Sequence, residues 1–159
     1  MSCTRFVAAC ALALGCVTSS LAQSADESKP SALWVNAGFY THHFQSDKNL
    51  RNPNPGLGLE WAWDDTYSLT GGFFRNSDDT TSRYVGVYAL PWHAAGARWG
   101  VVVGAFNGYP HAFDGGWFPA LLPVASWETN SWGLNVTVIP TVGERLHGGV
   151  SFQLKYRLR

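Results

Sequence analysis

Two kinds of residue in this sequence have the chemistry of a reactive centre. One is the adjacent imidazole pair His42-His43; the other is the hydroxyl of Ser77, which closes the run Arg75-Asn76-Ser77. An imidazole changes charge near neutrality and is suited to taking a proton from a hydroxyl. The run 75–77 is a cluster of hydrogen-bonding groups, and the same residues also suit the start of a turn. His42 and His43 equally suit a pair of loop-proximal imidazoles at a membrane–water boundary. His111 and His147 lie near loops on the same side of the expected architecture, and His93 falls on the opposite side.

Positioning Ser77 is the task of residues 67–86, which read as two strands joined by a polar hairpin. Residue types alternate on the way in (Tyr67, Leu69, Gly71, Phe73 against Ser68, Thr70, Gly72, Phe74) and again on the way out (Arg83, Val85, Val87 against Ser82, Tyr84, Gly86). Period-two alternation is the signature of a strand with two unlike faces. Ser77 therefore sits at a strand tip, and the histidines at the end of another strand.

The N-terminus has the form of an export signal. Arg5 supplies positive charge, 6–17 is an apolar run, and Ser20-Leu21-Ala22 offers small residues for cleavage. The apolar run is too short to span a bilayer. The expected division is a signal over 1–22, a short N-terminal segment over 23–32 and one β-domain over 33–159. Ala13-Leu14-Gly15-Cys16 is a loose match to a lipidation site, with its leucine one place out. All three cysteines, Cys3, Cys10 and Cys16, fall within the signal, so the mature chain has no disulfide framework, thiolate nucleophile or cysteine–metal site. The formal net charge is zero, which gives no sign of nucleic-acid binding. Aromatics at 14%, eight Trp, 17 Gly and only 14% charged residues suit a transmembrane β-barrel rather than a soluble domain.

Eight strands are expected, at 33–44, 55–63, 66–77, 82–92, 97–109, 119–128, 132–140 and 147–158. Short and long connections alternate between them, as in outer-membrane barrels. The N-terminus then lies on the periplasmic side. Trp34, Trp61, Trp63, Trp92, Trp99, Trp127 and Trp132 all fall at that end, which reads as an interfacial girdle. Strand parity points Asn36, Glu60, Ser68, Arg98, Glu128, Asn135, Lys155 and Arg157 into the lower lumen. It points Gly72, Phe74, Tyr84, Gly86, Val102, Gly104, Phe106, Leu122 and Val124 into the upper lumen. The lower lumen should be polar and plugged, the upper apolar and glycine-lined, with room for a hydrocarbon chain. The same parity turns His42 inward together with Tyr40. Pro119 and Pro123 in the sixth strand and Pro140 at the end of the seventh remove ladder donors. They end strands, or open a lateral path from lipid to lumen.

Over 118–126, Phe-Pro-Ala-Leu-Leu-Pro-Val-Ala-Ser, and 135–140, Asn-Val-Thr-Val-Ile-Pro, the chain resembles the PagP family of outer-membrane lipid A palmitoyltransferases. That family has a Leu-Leu-Pro-x-Ala-Ser run in the sixth strand, a Tyr-Ile-Pro-like end to the seventh, an Asp-Ser pair at the tip of the third and a histidine at the top of the first. The chain looks more like a divergent group of small barrels carrying His43-Phe44, 54–58 Asn-Pro-Gly-Leu-Gly and 75–77 Arg-Asn-Ser. It departs from the family where Asn76 replaces an aspartate. Asparagine orients a partner by hydrogen bonding but cannot balance an imidazolium with charge. Residues 23–31 are too short and too polar for the amphipathic helix with which family members can begin, and Arg159 stands where outer-membrane barrels usually have an aromatic residue.

The resemblance implies acyl transfer from a glycerophospholipid donor to lipid A as acceptor, in the outer membrane of a Gram-negative bacterium. The protein would act as a monomer with no cofactor, metal or nucleic acid. His43 or His42 would be the base, Ser77 a hydroxyl partner or nucleophile, and Asn76 an orienting or oxyanion group. Tyr84, Gly86, Tyr88 and Gly104 would line the acyl site. Arg51, Arg75 and Arg83, with Lys48, would grip lipid A phosphates, or are ordinary charge facing lipopolysaccharide. The resemblance also places Tyr88 where the family has a glycine low in the fourth strand, so its ring should shorten the cavity. An ester hydrolase using the same residues, and a non-catalytic barrel, are the alternatives.

Overall fold

The computed structural model describes residues 31–45, 50–143 and 146–158. The expected signal, residues 23–30 of the N-terminal segment and Lys48 lie outside them. The described chain forms eight strands: β1 (Ala32–His43), β2 (Pro53–Ala62), β3 (Tyr67–Arg75), β4 (Thr81–Ala94), β5 (Ala97–Phe106), β6 (Phe118–Glu128), β7 (Trp132–Ile139) and β8 (Gly149–Leu158). Each pairs antiparallel with the next, and β8 returns to β1, closing an eight-stranded antiparallel barrel. Closure leaves no free sheet edge. The turns β2–β3, β4–β5 and β6–β7 and both ends of the described barrel lie at one rim, here called lower. The longer connections lie at the upper rim.

The barrel is inverted relative to a soluble protein. Leu57, Leu59, Leu69, Phe73, Val85, Val103, Leu121, Val138, Phe152 and Leu154 are exposed on the outer wall. Asn36, Glu60, Ser68, Thr70, Arg98, Ser126, Asn135, Gln153 and Lys155 are buried inside. An apolar exterior around a polar interior is the arrangement of a transmembrane barrel, in which lipid covers the outward face.

The lower lumen is filled by a charge network. Lys155 Nζ donates to Glu60 Oε1 and Glu128 Oε1, at 2.7 Å each, and Arg98 pairs with Glu128 as well. Two cations thus meet two carboxylates, which satisfies the requirement that buried charge be paired. Asn135 Nδ2 donates to Glu60 Oε2 at 3.0 Å, and Ser126 Oγ donates to Asn135 Oδ1 at 2.7 Å.

Two expectations are corrected here. Trp34 is not part of the outer girdle but is fully buried in the lumen. It shares the parity of Asn36, and its ring carries Lys155 Nζ and Arg157 Cζ at 4.9 Å each. Its π-face is therefore occupied by lumenal cations. Trp61, Trp63, Trp92, Trp99 and Trp132 are exposed near the lower rim, where Trp92 pairs directly across from Trp99.

The second correction concerns His42. The β1 register slips between Ala37 and Phe39 against β2 and between Asn36 and Phe39 against β8. A bulge adds one residue and reverses the facing of everything beyond it. Gly38 permits it: a Cβ there would lie 2.2 Å from Asn54 O and 2.3 Å from Gly56 N. Beyond the bulge, Thr41 is buried while Tyr40 and His42 are exposed. His43, not His42, faces the lumen.

Candidate active site

The upper lumen holds a cavity of about 100 Å³ whose walls include Phe39, Phe74, Tyr84, Gly86, Tyr88, Val102, Gly104, Phe106, Phe118 and Leu122. Aromatic edges interlock near its mouth, with Phe39 4.9 Å from Phe74 and 5.6 Å from Tyr84. Gly86 and Gly104 face each other across β4 and β5. A Cβ on Gly104 would come within 2.8 Å of Gly86 Cα, so these bare positions let the two strands approach closely. Below, Gln153 Nε2 donates to the Tyr84 hydroxyl at 3.3 Å, and Asn135 Nδ2 donates to the Tyr88 hydroxyl at 3.5 Å. Tyr88 thus points inward and stands where apolar cavity meets polar plug, packed with Leu90, Val102, Leu122 and Val124.

His43 and Ser77 both line this cavity. Ser77 Oγ lies 3.0 Å from His43 Nε2, and His43 Nδ1 lies 3.1 Å from Asn52 Oδ1. The amide oxygen of Asn52 can only accept, so it selects the tautomer with hydrogen on Nδ1. Nε2 is then a bare acceptor aimed at the serine hydroxyl. This is the serine–imidazole–amide order of a nucleophile, its base and the group that orients the base.

Asn76 serves a different purpose from an imidazole partner. It is fully buried, and its side chain builds the hairpin. Its Oδ1 accepts from the Asp78 and Thr80 backbone N–H groups, both at 3.0 Å. Its Nδ2 shares its two hydrogens among Thr80 Oγ1 at 2.8 Å, Ser82 Oγ at 2.9 Å and Gly108 O at 2.7 Å. The effect is to lock the turn that presents Ser77.

Asn52 is the residue that sequence reasoning passed over. It stands in the β1–β2 connection, where its backbone carbonyl accepts from Thr41 N at 2.9 Å. Its place follows from the strand register and not from any sequence pattern: with Pro53 opposite Tyr40, Asn52 lies beside the end of β1.

The three arginines sit outside the lumen. Arg51, Arg75 and Arg83 are exposed. Arg75 Nε and Nη2 donate to the Asp79 carboxylate at 2.8 and 2.9 Å, and Arg51 Nη1 donates to it at 2.6 Å. Hydrogen bonds from Arg75 and then Arg51 hold this carboxyl well below the usual range. Asp79 thereby links the Ser77 hairpin to the connection that carries Asn52. Among the described residues, no cluster of three or more His, Cys, Asp or Glu side chains is arranged to hold a metal.

The wall of the cavity is incompletely laced. The β6–β7 ladder runs only from Val124↔Thr137 to Glu128↔Gly133. The upper half of β6, residues 118–123, pairs with β5 alone, and Val138 and Ile139 pair with β8 alone. Pro119 and Pro123 in this half lack the N–H that a ladder would use.

No family model matches the chain, and no curated protein matches it. Among solved structures it is similar to a de novo designed protein, TMB2.3, determined by solution NMR. The TM-score is 0.57 at 13% identity, over 84% of this chain and 98% of that one. At that identity the likeness is one of fold: this chain is an eight-stranded antiparallel barrel of the transmembrane kind.

Proposed function

We propose that this protein is an outer-membrane lipid A acyltransferase that moves a palmitoyl-like chain from a glycerophospholipid to lipid A in the outer leaflet. The observation that carries this reading is the Ser77–His43–Asn52 array at the mouth of an apolar cavity within a lipid-facing barrel. A hydroxyl nucleophile beside an oriented base is a group-transfer device, and the cavity beside it has hydrocarbon chemistry.

In the first half-reaction Ser77 Oγ bonds to the donor ester carbonyl and passes its proton to His43 Nε2. The ester C–O bond breaks, and the lysophospholipid oxygen takes that proton as it leaves. In the second half, the acceptor hydroxyl gives its proton to Nε2 and bonds to the acyl carbon. The acyl–Oγ bond breaks and Ser77 recovers the proton. General-base assistance of this kind contributes about 10²–10⁴-fold. Tyr84, Gly86, Tyr88 and Gly104 line the space for the acyl chain. The unlaced half of β6 and β7 is where a donor chain passes from bilayer to lumen. Arg51, Arg75 and Arg83 offer guanidinium groups to lipid phosphates outside it.

The same array also serves an ester hydrolase, since water can replace the acceptor hydroxyl; the reach of His43 to Ser77 favours either enzyme over a non-catalytic barrel. Mass spectrometry of lipid A, with and without the expressed protein, separates the readings. A gain of one acyl chain that disappears with Ser77→Ala or His43→Ala is the expected result. Loss of a chain indicates the hydrolase. An unchanged lipid A and phospholipid profile overturns both.

A further inference from the structure

A second imidazole lines the same cavity. His147, in the connection before β8, has its Nδ1 2.8 Å from Gln45 Oε1. The contact repeats the logic of His43 and Asn52: an amide oxygen from a neighbouring connection accepts from Nδ1–H and leaves Nε2 as a bare acceptor. The two segments are also joined by the backbone, where Phe44 N donates to Gly148 O at 3.0 Å, and Gly148 N in turn donates to the Thr141 hydroxyl at 3.2 Å. His147 is half-buried and therefore neither sealed in the wall nor loose in solvent. A histidine needed only as filler gains nothing from an oriented ring at a cavity mouth. His43 already supplies the base for Ser77, so His147 is left over.

We propose that His147, oriented by Gln45, docks the acyl acceptor by accepting a hydrogen bond from one of its hydroxyl groups at Nε2. A bare nitrogen acceptor selects a hydroxyl donor and disfavours an unprotonated phosphate oxygen, which has no hydrogen to offer. The ligand class is a polyhydroxylated group such as a sugar headgroup, bound beside the acyl-enzyme formed at Ser77. The inference rests on the reading of Ser77 and His43 as an acyl-transfer centre. His147 is a positioning residue for the second half-reaction and takes no part in the first.

The test uses the full-length protein in vesicles with phospholipid donor and lipid A acceptor, following three products: lysophospholipid, acylated lipid A and free fatty acid. His147→Ala should leave lysophospholipid release within about twofold of wild type. It should lower acylated lipid A about tenfold, the worth of one well-made hydrogen bond, and raise free fatty acid correspondingly. The loss should appear in the KM for lipid A more than in donor cleavage. Gln45→Ala should show part of the same shift, and Gln45→Glu, which still accepts from Nδ1–H, should restore most of it. A wild-type partition between acyl transfer and hydrolysis in His147→Ala overturns the proposal. So does equal loss of all three products, which would place His147 in the donor step or in the fold. Failure of the underlying centre is separate: it would show as continued lysophospholipid release in Ser77→Ala.

Discussion

The two halves of the lumen solve opposite problems with the same strands. The lower half gathers charge: Lys155 between Glu60 and Glu128, Arg98 on Glu128, and Trp34 beneath Lys155 and Arg157. Every one of those groups depends on its neighbours, because a charge buried alone is costly. The upper half gathers hydrocarbon around a void, with His43 and Ser77 among the residues that line it. Strand pairing follows the same division. Between β6 and β7 the ladder is made in the lower half and absent in the upper half. Such an arrangement places rigidity below and accessibility above. The cavity wall can then be loosely laced above without unravelling the barrel.

The largest expected effect breaks the lower half. Lys155→Met leaves Glu60 buried without its cation and should cost about 3–5 kcal/mol of stability. Urea unfolding in vesicles measures it. Adding Glu60→Gln should recover part of the loss. If the division is real, residual folded protein should keep its acyl-transfer rate per folded molecule at permissive temperature.

A second variant addresses the upper half without touching the plug. Asn52→Ala frees His43 to choose the wrong tautomer, so acyl transfer should fall about 10–100-fold while unfolding is unchanged. A rate equal to wild type would remove Asn52 from the site.

Tyr88 stands on the boundary, and Tyr88→Gly moves that boundary downward. Burial of each methylene is worth about 0.8 kcal/mol, so opening space for two should shift preference roughly tenfold toward longer chains. The chain length in the transferred acyl group, read by mass spectrometry, checks it. An unchanged product assigns the floor to another residue.

The smallest effect belongs to the rim. Asp79→Asn weakens the link from Arg51 and Arg75 to the Ser77 hairpin, and exposed pairs of this kind are weak, so activity should fall less than about threefold. The pH dependence has a defined sign. The folded-state carboxyl is held below its unfolded value, so its contribution is present above the unfolded value and disappears only as pH falls through the lowered one. Activity should therefore show no step from Asp79 between pH 7 and pH 5.

Much of the barrel was legible from period-two alternation. The strand at 147–158 was expected from Val150, Phe152, Leu154 and Tyr156 against Ser151, Gln153 and Lys155, and β8 is found at Gly149–Leu158. The expected fifth strand ran past its end, because Gly108 adopts φ 82° and turns the chain after β5 stops at Phe106. The fourth ran short, because Ala95 and Gly96 make a tight positive-φ turn that lets β4 continue to Ala94. Alternation assigned Lys155 and Glu60 to the same interior, yet nothing in it says that one lysine meets both Glu60 and Glu128. It does give Trp34 the inward parity of Asn36, a signal masked by the gathering of tryptophans at one end of the barrel.

Residue types along the chain were enough, without coordinates, to determine an even number of antiparallel strands, a polar lower lumen and an apolar upper one. They also singled out Ser77 and the pair 42–43 as the residue types from which the proposed chemistry is built. Only closure of the barrel decided which histidine faces the lumen and meets Ser77. One bulge at Gly38, tolerated because a bare backbone fits against Asn54 and Gly56, turns His43 inward and His42 out. Closure likewise brought Asn52 to Nδ1 of His43 and turned Asn76 into the hairpin. The physical reason is that facing along a strand is set by local alternation only until a bulge resets it. The meeting of residues 52, 43 and 77 is set by register between strands, which no single strand's pattern contains.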